Sequence, residues 1–434
     1  MKVILTSVPL LGHLNAVLAI GRMLVDEGHE VVALSASHFR DRIERIGARF
    51  VPFPSEIDID ASDMARAYPE FDRLEPGPAM TLFYFQRVFA DPLAPQHRAL
   101  TALLKHFDAD LIVADNLCMG ILPMLLNDHP RRPAVVACGT TYLMWRRDDR
   151  GPCNLGFPPA RNDADRCAYG VVADELDEVF TRPFAAHLDA CLHAAGAPSL
   201  PMDVLDAVTC LPDAHLQLSV PAFEYPRSDL PPQLHFIGAL PITPGQAPLP
   251  VWADDLHGAR KVVLVTQGTL SNADFGALVQ PTLAALANAP DLLVVVTTGG
   301  RRVESLGSHL PANARVASYL PFEWLLPKVD VLVTNGGYNS VNQALSFGIP
   351  IVVAGLTEDK ADVAARIAWS GAGIDLRTNR PGVANLLGAV RRVLDDPAYR
   401  ERAAMLAADF ARIDTRAEAL RIIGDVVARR HATC

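Results

Sequence analysis

Three groups of residues in this chain have the types and spacing to do chemistry. In residues 331–345 the apolar β-formers end at Thr334, Gly336 and Gly337 turn the backbone, and Asn339 or Ser340 can cap the helix that comes next. The first-turn N–H groups of such a helix, together with its dipole, form an anion site for which a diphosphate is the natural guest. The same residues also suit an ordinary strand-to-helix turn. His13, within Gly12-His13-Leu14-Asn15, comes directly after an apolar strand and leads into a helix, where open α/β sheets carry ligand chemistry. Asp115 closes the apolar run 111–114 ahead of a helical stretch, where a carboxylate can orient a histidine or cap the helix.

The elements that must position these residues alternate along the chain. Apolar strands at 3–5, 31–34, 50–52, 111–114 and 134–137 are interleaved with helical spacing, as at 14–24 and 39–46. Prolines crowd residues 230–256 and mark a linker, after which strands recur at 262–265, 292–296, 316, 329–333 and 349–353. Residues 397–430 are helical in pattern. The fold class predicted is α/β, with two Rossmann-like, doubly wound domains facing across a cleft. The domains are placed at 1–237 and 259–414 with a linker at 238–258. A C-terminal helix at 415–434 is expected to pack back on the first domain.

Composition narrows the function. The chain has 434 residues and a net charge of -10 with no basic stripe, which argues against nucleic acid as a partner. Seven scattered cysteines without C-x-x-C read as reduced thiols, so a cytoplasmic location is expected rather than a disulfide framework or zinc site. His13, Asn15 and Arg22 interrupt the apolar N-terminus and argue for a first strand and helix over a signal peptide. No stretch reaches the length of a membrane span. G-x-G-x-x-G, the P-loop, H-E-x-x-H and G-x-S-x-G are all absent.

Several pieces then line up in order: Gly12-His13, Asp115, Gln267-Gly268-Thr269, Tyr319-Leu320-Pro321, the glycine turn, Pro350 and Glu358-Asp359-Lys360. Together they resemble the GT-B glycosyltransferases of the UDP-glycosyltransferase superfamily, in its bacterial macrolide and natural-product branch. The resemblance implies that His13 is the general base and Asp115 its dyad partner, with Asp110 the competitor at the wrong end of the strand. It implies a donor site in which Gly268, Thr269, Asn335, Gly337, Asn339 and Ser340 meet the diphosphate. Tyr319 would stack on the base and Leu320 contact it, Gln343 hold the ribose, and Asp359 and Lys360 meet the sugar. Asn335, Gln343 and Lys360 stand where the family usually has His, Glu and Gln. Asn15-Ala16 replaces the end of its Gly-His-x-x-Pro motif.

The aromatic stripe Met80, Phe83, Tyr84, Phe85 and Phe89, and the group Tyr142, Met144 and Trp145, are either core or the wall of an acceptor site. As a wall, Phe83, Phe85, Tyr142 and Trp145 would bind an apolar, hydroxylated small molecule. The resemblance thus implies an inverting, metal-independent transfer from a UDP- or dTDP-sugar, with no cofactor beyond that co-substrate. The rival functions are a non-catalytic activator of the same fold and a sugar-nucleotide epimerase. Monomer and homodimer remain open.

Overall fold

The computed structural model describes residues 1–432 apart from positions 62, 63, 71, 72, 75, 76, 128, 130, 243–248, 269–271, 273, 308 and 309. Two all-parallel sheets form the frame. The first contains β1 (Lys2–Thr6), β2 (Glu30–Ser35), β3 (Arg49–Pro52), β4 (Leu111–Asp115), β5 (Ala134–Gly139), β6 (Ala214–Gln217) and β7 (Leu234–Phe236), in the order β3-β2-β1-β4-β5-β6-β7. The second contains β8 (Lys261–Thr266), β9 (Leu292–Thr297), β10 (Ala314–Ala317), β11 (Val331–Thr334), β12 (Ile351–Val353) and β13 (Gly373–Asp375), in the order β10-β9-β8-β11-β12-β13.

Helices cover both faces of each sheet, so the central strands are near-continuous apolar runs, polar only at their ends, rather than alternating. β4 reads Leu-Ile-Val-Ala-Asp and β9 Leu-Leu-Val-Val-Val-Thr, with every residue buried. In each sheet the winding direction reverses once, between β1 and β4 and between β8 and β11. Loops leaving the C-terminal ends of two such strands splay apart and open a crevice. The register Thr6 to Ala114, and Thr334 to Thr266, brings the paired strand ends level.

Three strands lie outside those expected from the apolar pattern. β6 carries His215 and Gln217, β13 is three residues long, and β7 falls inside the proline-rich stretch that reads as linker. Part of that stretch therefore completes the first sheet. The helix Thr415–Ala432 buries Ile422, Ile423, Val426 and Val427 and touches β5, β6 and the helix Leu11–Asp26 of the first sheet. Among the described residues no helix is long and apolar enough to cross a membrane.

Among the described residues, buried polar contacts join the two halves. Gln217 Nε2 donates to Tyr338 Oη at 2.7 Å, and Ser219 Oγ donates to Asn342 Oδ1 at 2.6 Å. Arg366, 1% exposed, reaches Glu224 at 2.5 Å and Asp362 at 3.0 Å, with its guanidinium between the rings of Tyr142 and Tyr225.

Candidate active site

A cavity of about 1730 Å³ lies where the two crevices face each other, lined by the loops after β1 and β5 on one side and after β8, β9 and β11 on the other. His13 sits in the first turn of the helix Leu11–Asp26, shortly after β1. Its Nδ1 lies 3.0 Å from Asp115 Oδ1 and 3.0 Å from Thr140 Oγ1.

The network around Asp115 fixes the tautomer. The Asp115 oxygens also accept from the backbone N–H of Val8 at 2.7 Å and of Leu117 at 2.9 Å. Thr140 donates its hydroxyl proton to Asn116 Oδ1 at 3.0 Å, so toward His13 it can only accept. Both neighbours of Nδ1 are thus acceptors, Nδ1 carries the proton, and Nε2 presents a lone pair on the cavity side. The two roles open to Asp115 coexist, because it holds His13 and caps the turn at Leu117. Asp110 lies at the other end of the strand, accepting from the Lys2 N–H at 2.8 Å.

Across the cavity, β11 ends in the glycine turn. Gly336 has φ +94°, and its missing Cβ would lie 3.0 Å from Val353 Cγ2. The helix cap departs from the expectation of Asn339 or Ser340. It is Gly337, with extended ψ 124°, and the helix Tyr338–Ser346 already includes both of those residues. The backbone enters the helix as soon as the two glycines have turned it, ahead of the residue types that suit a cap. No side chain caps this terminus, so its first N–H groups are left for a ligand. Gly337, Asn339 and Ser340 all line the cavity, as do Gly268 and Asn335. The Asn335 amide donates to Gln267 O at 2.9 Å, which ties the turn to the end of β8.

Asp359 and Lys360 line the same space. Lys360 is buried and paired with Glu358. Burial opposes its charge, yet Glu358 and Asp359 hold its ammonium above the usual value. Burial pushes the Asp359 carboxyl up to about 6, against the pull of Lys360.

Other predicted positions are placed differently. Thr269 lies outside the described residues. Tyr319, Leu320 and Gln343 are not on the cavity wall: Tyr319 is 51% exposed with its phenol against Gly300, Leu320 is buried, and Gln343 is half-buried. On the acceptor side Phe85 and Trp145 line the cavity, and Trp145 Nε1 donates to Asp229 at 3.1 Å. Phe83 and Tyr142 do not. Phe83 packs edge-on against Tyr68, while Tyr142 is 2% exposed, with its hydroxyl held by Asn154 and its ring against Arg366. The wall instead includes Tyr84 and Phe180. A π-helical stretch, Tyr84–Ala90, inserts an extra residue per turn there and rotates the stripe away from α-helical spacing. Thr140, Phe180 and Arg301 carry no motif and become visible only through tertiary position.

Residues 281–425 match the family described as erythromycin biosynthesis protein CIII-like, C-terminal domain. A 4'-demethylrebeccamycin synthase of Lentzea aerocolonigenes is 37% identical over 98% of this chain and 99% of its own length. UDP-glycosyltransferase 2 of Phaeomoniella chlamydospora is 35% identical over 98% of this chain and 94% of its own. Among solved structures, the calicheamicin glycosyltransferase CalG4 superposes with a TM-score of 0.73 at 20% identity, covering 99% of this chain and 98% of the other. The kitacinnamycin glycotransferase superposes with a TM-score of 0.71 at 24% identity over the same shares of the two chains. Two parallel sheets with both crevices open to one cavity, and relatives alike from end to end, make this chain a GT-B glycosyltransferase that belongs to the UDP-glycosyltransferase family.

Proposed function

We propose that this glycosyltransferase moves a sugar from a UDP- or dTDP-sugar to a hydroxyl of an apolar small molecule, with inversion at the anomeric carbon. One observation carries the reading: His13, whose Nδ1 is held by Asp115 and Thr140 so that Nε2 is left with its lone pair, faces across the cavity an uncapped helix N-terminus at Tyr338–Ser346. Residues 259–414 hold the donor and residues 1–237 the acceptor. The acceptor lies against Phe85, Tyr84, Phe180 and Trp145, which suits a flat or bulky alcohol or phenol.

In the reaction His13 Nε2 takes the acceptor hydroxyl proton as that oxygen bonds to the anomeric carbon. The bond from that carbon to the diphosphate oxygen breaks on the opposite face, and its electron pair leaves with the diphosphate. Asp115 stabilises the imidazolium, and the N–H groups around Asn339 and Ser340 receive the charge developing on the diphosphate. Asp359 accepts from donor-sugar hydroxyls, while Lys360 is held by Glu358 and keeps the local charge balanced. Natural-product acceptors are supported by the name of the Lentzea relative, and a uridine donor by that of the Phaeomoniella relative.

The test is a screen of UDP- and dTDP-sugars against phenols, flavonoids, macrolides and steroids, with and without His13→Ala, read by mass. A glycoside that disappears with His13→Ala supports the reading. No product from any pair, with no nucleotide-sugar binding by calorimetry, refutes it.

A further inference from the structure

Five basic side chains other than His13 reach the cavity wall among the described residues: Arg146, Arg147, Arg150, Arg301 and Lys360. Four are neutralised by a carboxylate, Arg146 by Asp206, Arg147 by Asp149, Arg150 by Asp174 and Lys360 by Glu358. Arg301 has no carboxylate partner among the described residues. Its Nε instead donates to the neutral Oδ1 of Asn272 at 2.8 Å.

That tether is itself held firmly. Asn272 is buried, and its amide nitrogen donates to Gly268 O and Thr298 O, both at 3.0 Å, so only its oxygen is turned to Arg301. The Arg301 backbone is fixed as well, since its carbonyl accepts from Thr298 Oγ1 at 2.5 Å. Gly300, with φ +94°, lets the chain turn beneath Tyr319, whose phenol oxygen occupies the space a Cβ would need. A side chain at 300 would displace either Tyr319 or the turn. The guanidinium is therefore anchored at one nitrogen, and among the described residues its two terminal nitrogens have no hydrogen-bond partner, which leaves them for a ligand.

The neighbours of Arg301 on the wall say what that ligand is. Gly268, Gly337, Asn339 and Ser340 present backbone and neutral polar groups, and Asn335 cannot carry charge. A planar, permanently charged guanidinium lining the same cavity as that helix N-terminus matches a phosphate oxyanion, which it can meet through two parallel hydrogen bonds. The geometry points to Arg301 as the cationic member of the diphosphate subsite, supplied by the end of β9 rather than by the glycine turn. It pairs with the donor diphosphate in the ground state and with the extra negative charge that diphosphate gains as the anomeric bond breaks. This rests on the proposed reading of the cavity as a nucleotide-sugar site.

The test measures UDP and dTDP binding by calorimetry, and uridine and thymidine binding by ligand-observed NMR, for the full chain, Arg301→Gln and Arg301→Lys. Thermal unfolding confirms that the variants are folded. Arg301→Gln is expected to weaken the diphosphate about tenfold, the low end for a charge-assisted pair because Arg301 is solvent-accessible. Nucleoside binding should be unchanged, Arg301→Lys should recover part of the loss, and added salt should shrink the difference. A full chain that binds neither diphosphate removes the nucleotide-sugar reading and this inference with it. A full chain that binds, with Arg301→Gln equal to it, overturns the inference alone. Equal weakening of diphosphate and nucleoside would assign Arg301 to the base instead and likewise overturn it.

Discussion

Replacing Asp115 with Asn keeps the side chain's size and removes its charge, and the neighbouring groups determine the consequence. The two carboxylate oxygens accept from three N–H groups, those of Val8, Leu117 and His13. An amide offers a single oxygen. If that oxygen faces Val8, the amide nitrogen points at His13 Nδ1, which must then accept, and the imidazole proton moves to Nε2, the atom needed as base. If it faces His13 and Leu117, two N–H donors confront each other at the Val8 position, where the bond is now 2.7 Å. In both cases the imidazolium formed during transfer loses its counter-charge. Unit charges about 4 Å apart at an effective dielectric of about 20 attract by about 4 kcal/mol. At about 1.4 kcal/mol per tenfold, kcat should fall roughly a thousandfold. The donor KM should stay within about threefold, because the lost interaction exists only once the proton has moved. The assay is the initial rate of glycoside formation by chromatography and mass, using the donor and acceptor the screen identifies, for Asp115→Asn, His13→Ala and the pair. Asp115 acts through His13, so the double variant should be no slower than His13→Ala. A folded Asp115→Asn with undiminished kcat, or a double variant whose losses multiply, would refute the dyad.

The donor side and the buried ion pairs respond to perturbation in ways that can be measured separately. Asp359 has its carboxyl raised to about 6, so it ionises above that pH and is neutral below it. The donor KM should therefore rise as pH falls through about 6, and Asp359→Asn should flatten that profile. The folded state holds this proton more tightly than the unfolded chain, so stability falls as pH rises from about 4 to 6. Asp359→Asn should accordingly raise the unfolding temperature of the ligand-free protein at pH 8 and leave it unchanged near pH 4. Arg366→Ala strands Glu224 and Asp362 as buried, uncompensated carboxylates, at a cost of about 3–5 kcal/mol, read as a lower urea midpoint. Gly336→Ala forces an L residue to φ +94° with its Cβ 3.0 Å from Val353, so the turn must shift. A higher donor KM with little change in acceptor KM would be its signature, measured by varying each substrate in turn.

The residues legible in the sequence are those whose place is set by local chain geometry. His13 and Asp115 each stand at or just past the end of an apolar strand, and in a parallel sheet the C-terminal strand end faces the ligand whatever else the fold does. The glycine turn is legible for the same reason, although Asn339 and Ser340 look like caps because their types suit one. The backbone instead enters the helix at Gly337, where no side chain caps it. Illegible residues depend on tertiary neighbours. Thr140 holds His13 only because β5 lies beside β4. Tyr142 is an aromatic at a strand end, as expected of a ligand wall, but Arg366, 224 positions later in the chain, arrives to cover its ring. Phe83 packs against Tyr68 while Tyr84 reaches the cavity wall, at the start of a π-helical stretch, and nothing in the pattern of apolar residues announces an i→i+5 turn.

The proposed base and the proposed leaving-group site belong to different sheets, yet a short network connects them. His13 Nδ1 meets Thr140 Oγ1 at 3.0 Å, and the carbonyl of the next residue, Thr141, accepts from Gln217 Nε2 at 2.8 Å. The same Gln217 nitrogen donates to the hydroxyl of Tyr338 at 2.7 Å, and Tyr338 is the first residue of the helix whose N–H groups face the cavity. Gln217 is fixed in turn by His215, whose ring burial holds neutral by pushing its pKa down to about 4. Every polar atom of the Gln217 amide is thus used, and a fully satisfied buried amide specifies geometry more than it adds stability. Gln217, at the end of β6, thus ties the loop that holds His13 to the helix Tyr338–Ser346 across the cavity. Moving a proton and breaking a bond on opposite faces of one sugar carbon requires the separation between base and leaving group to be held closely. On the proposed mechanism the strand-end motifs supply the reacting groups, while Gln217, Thr140 and Tyr338 hold them at a working distance.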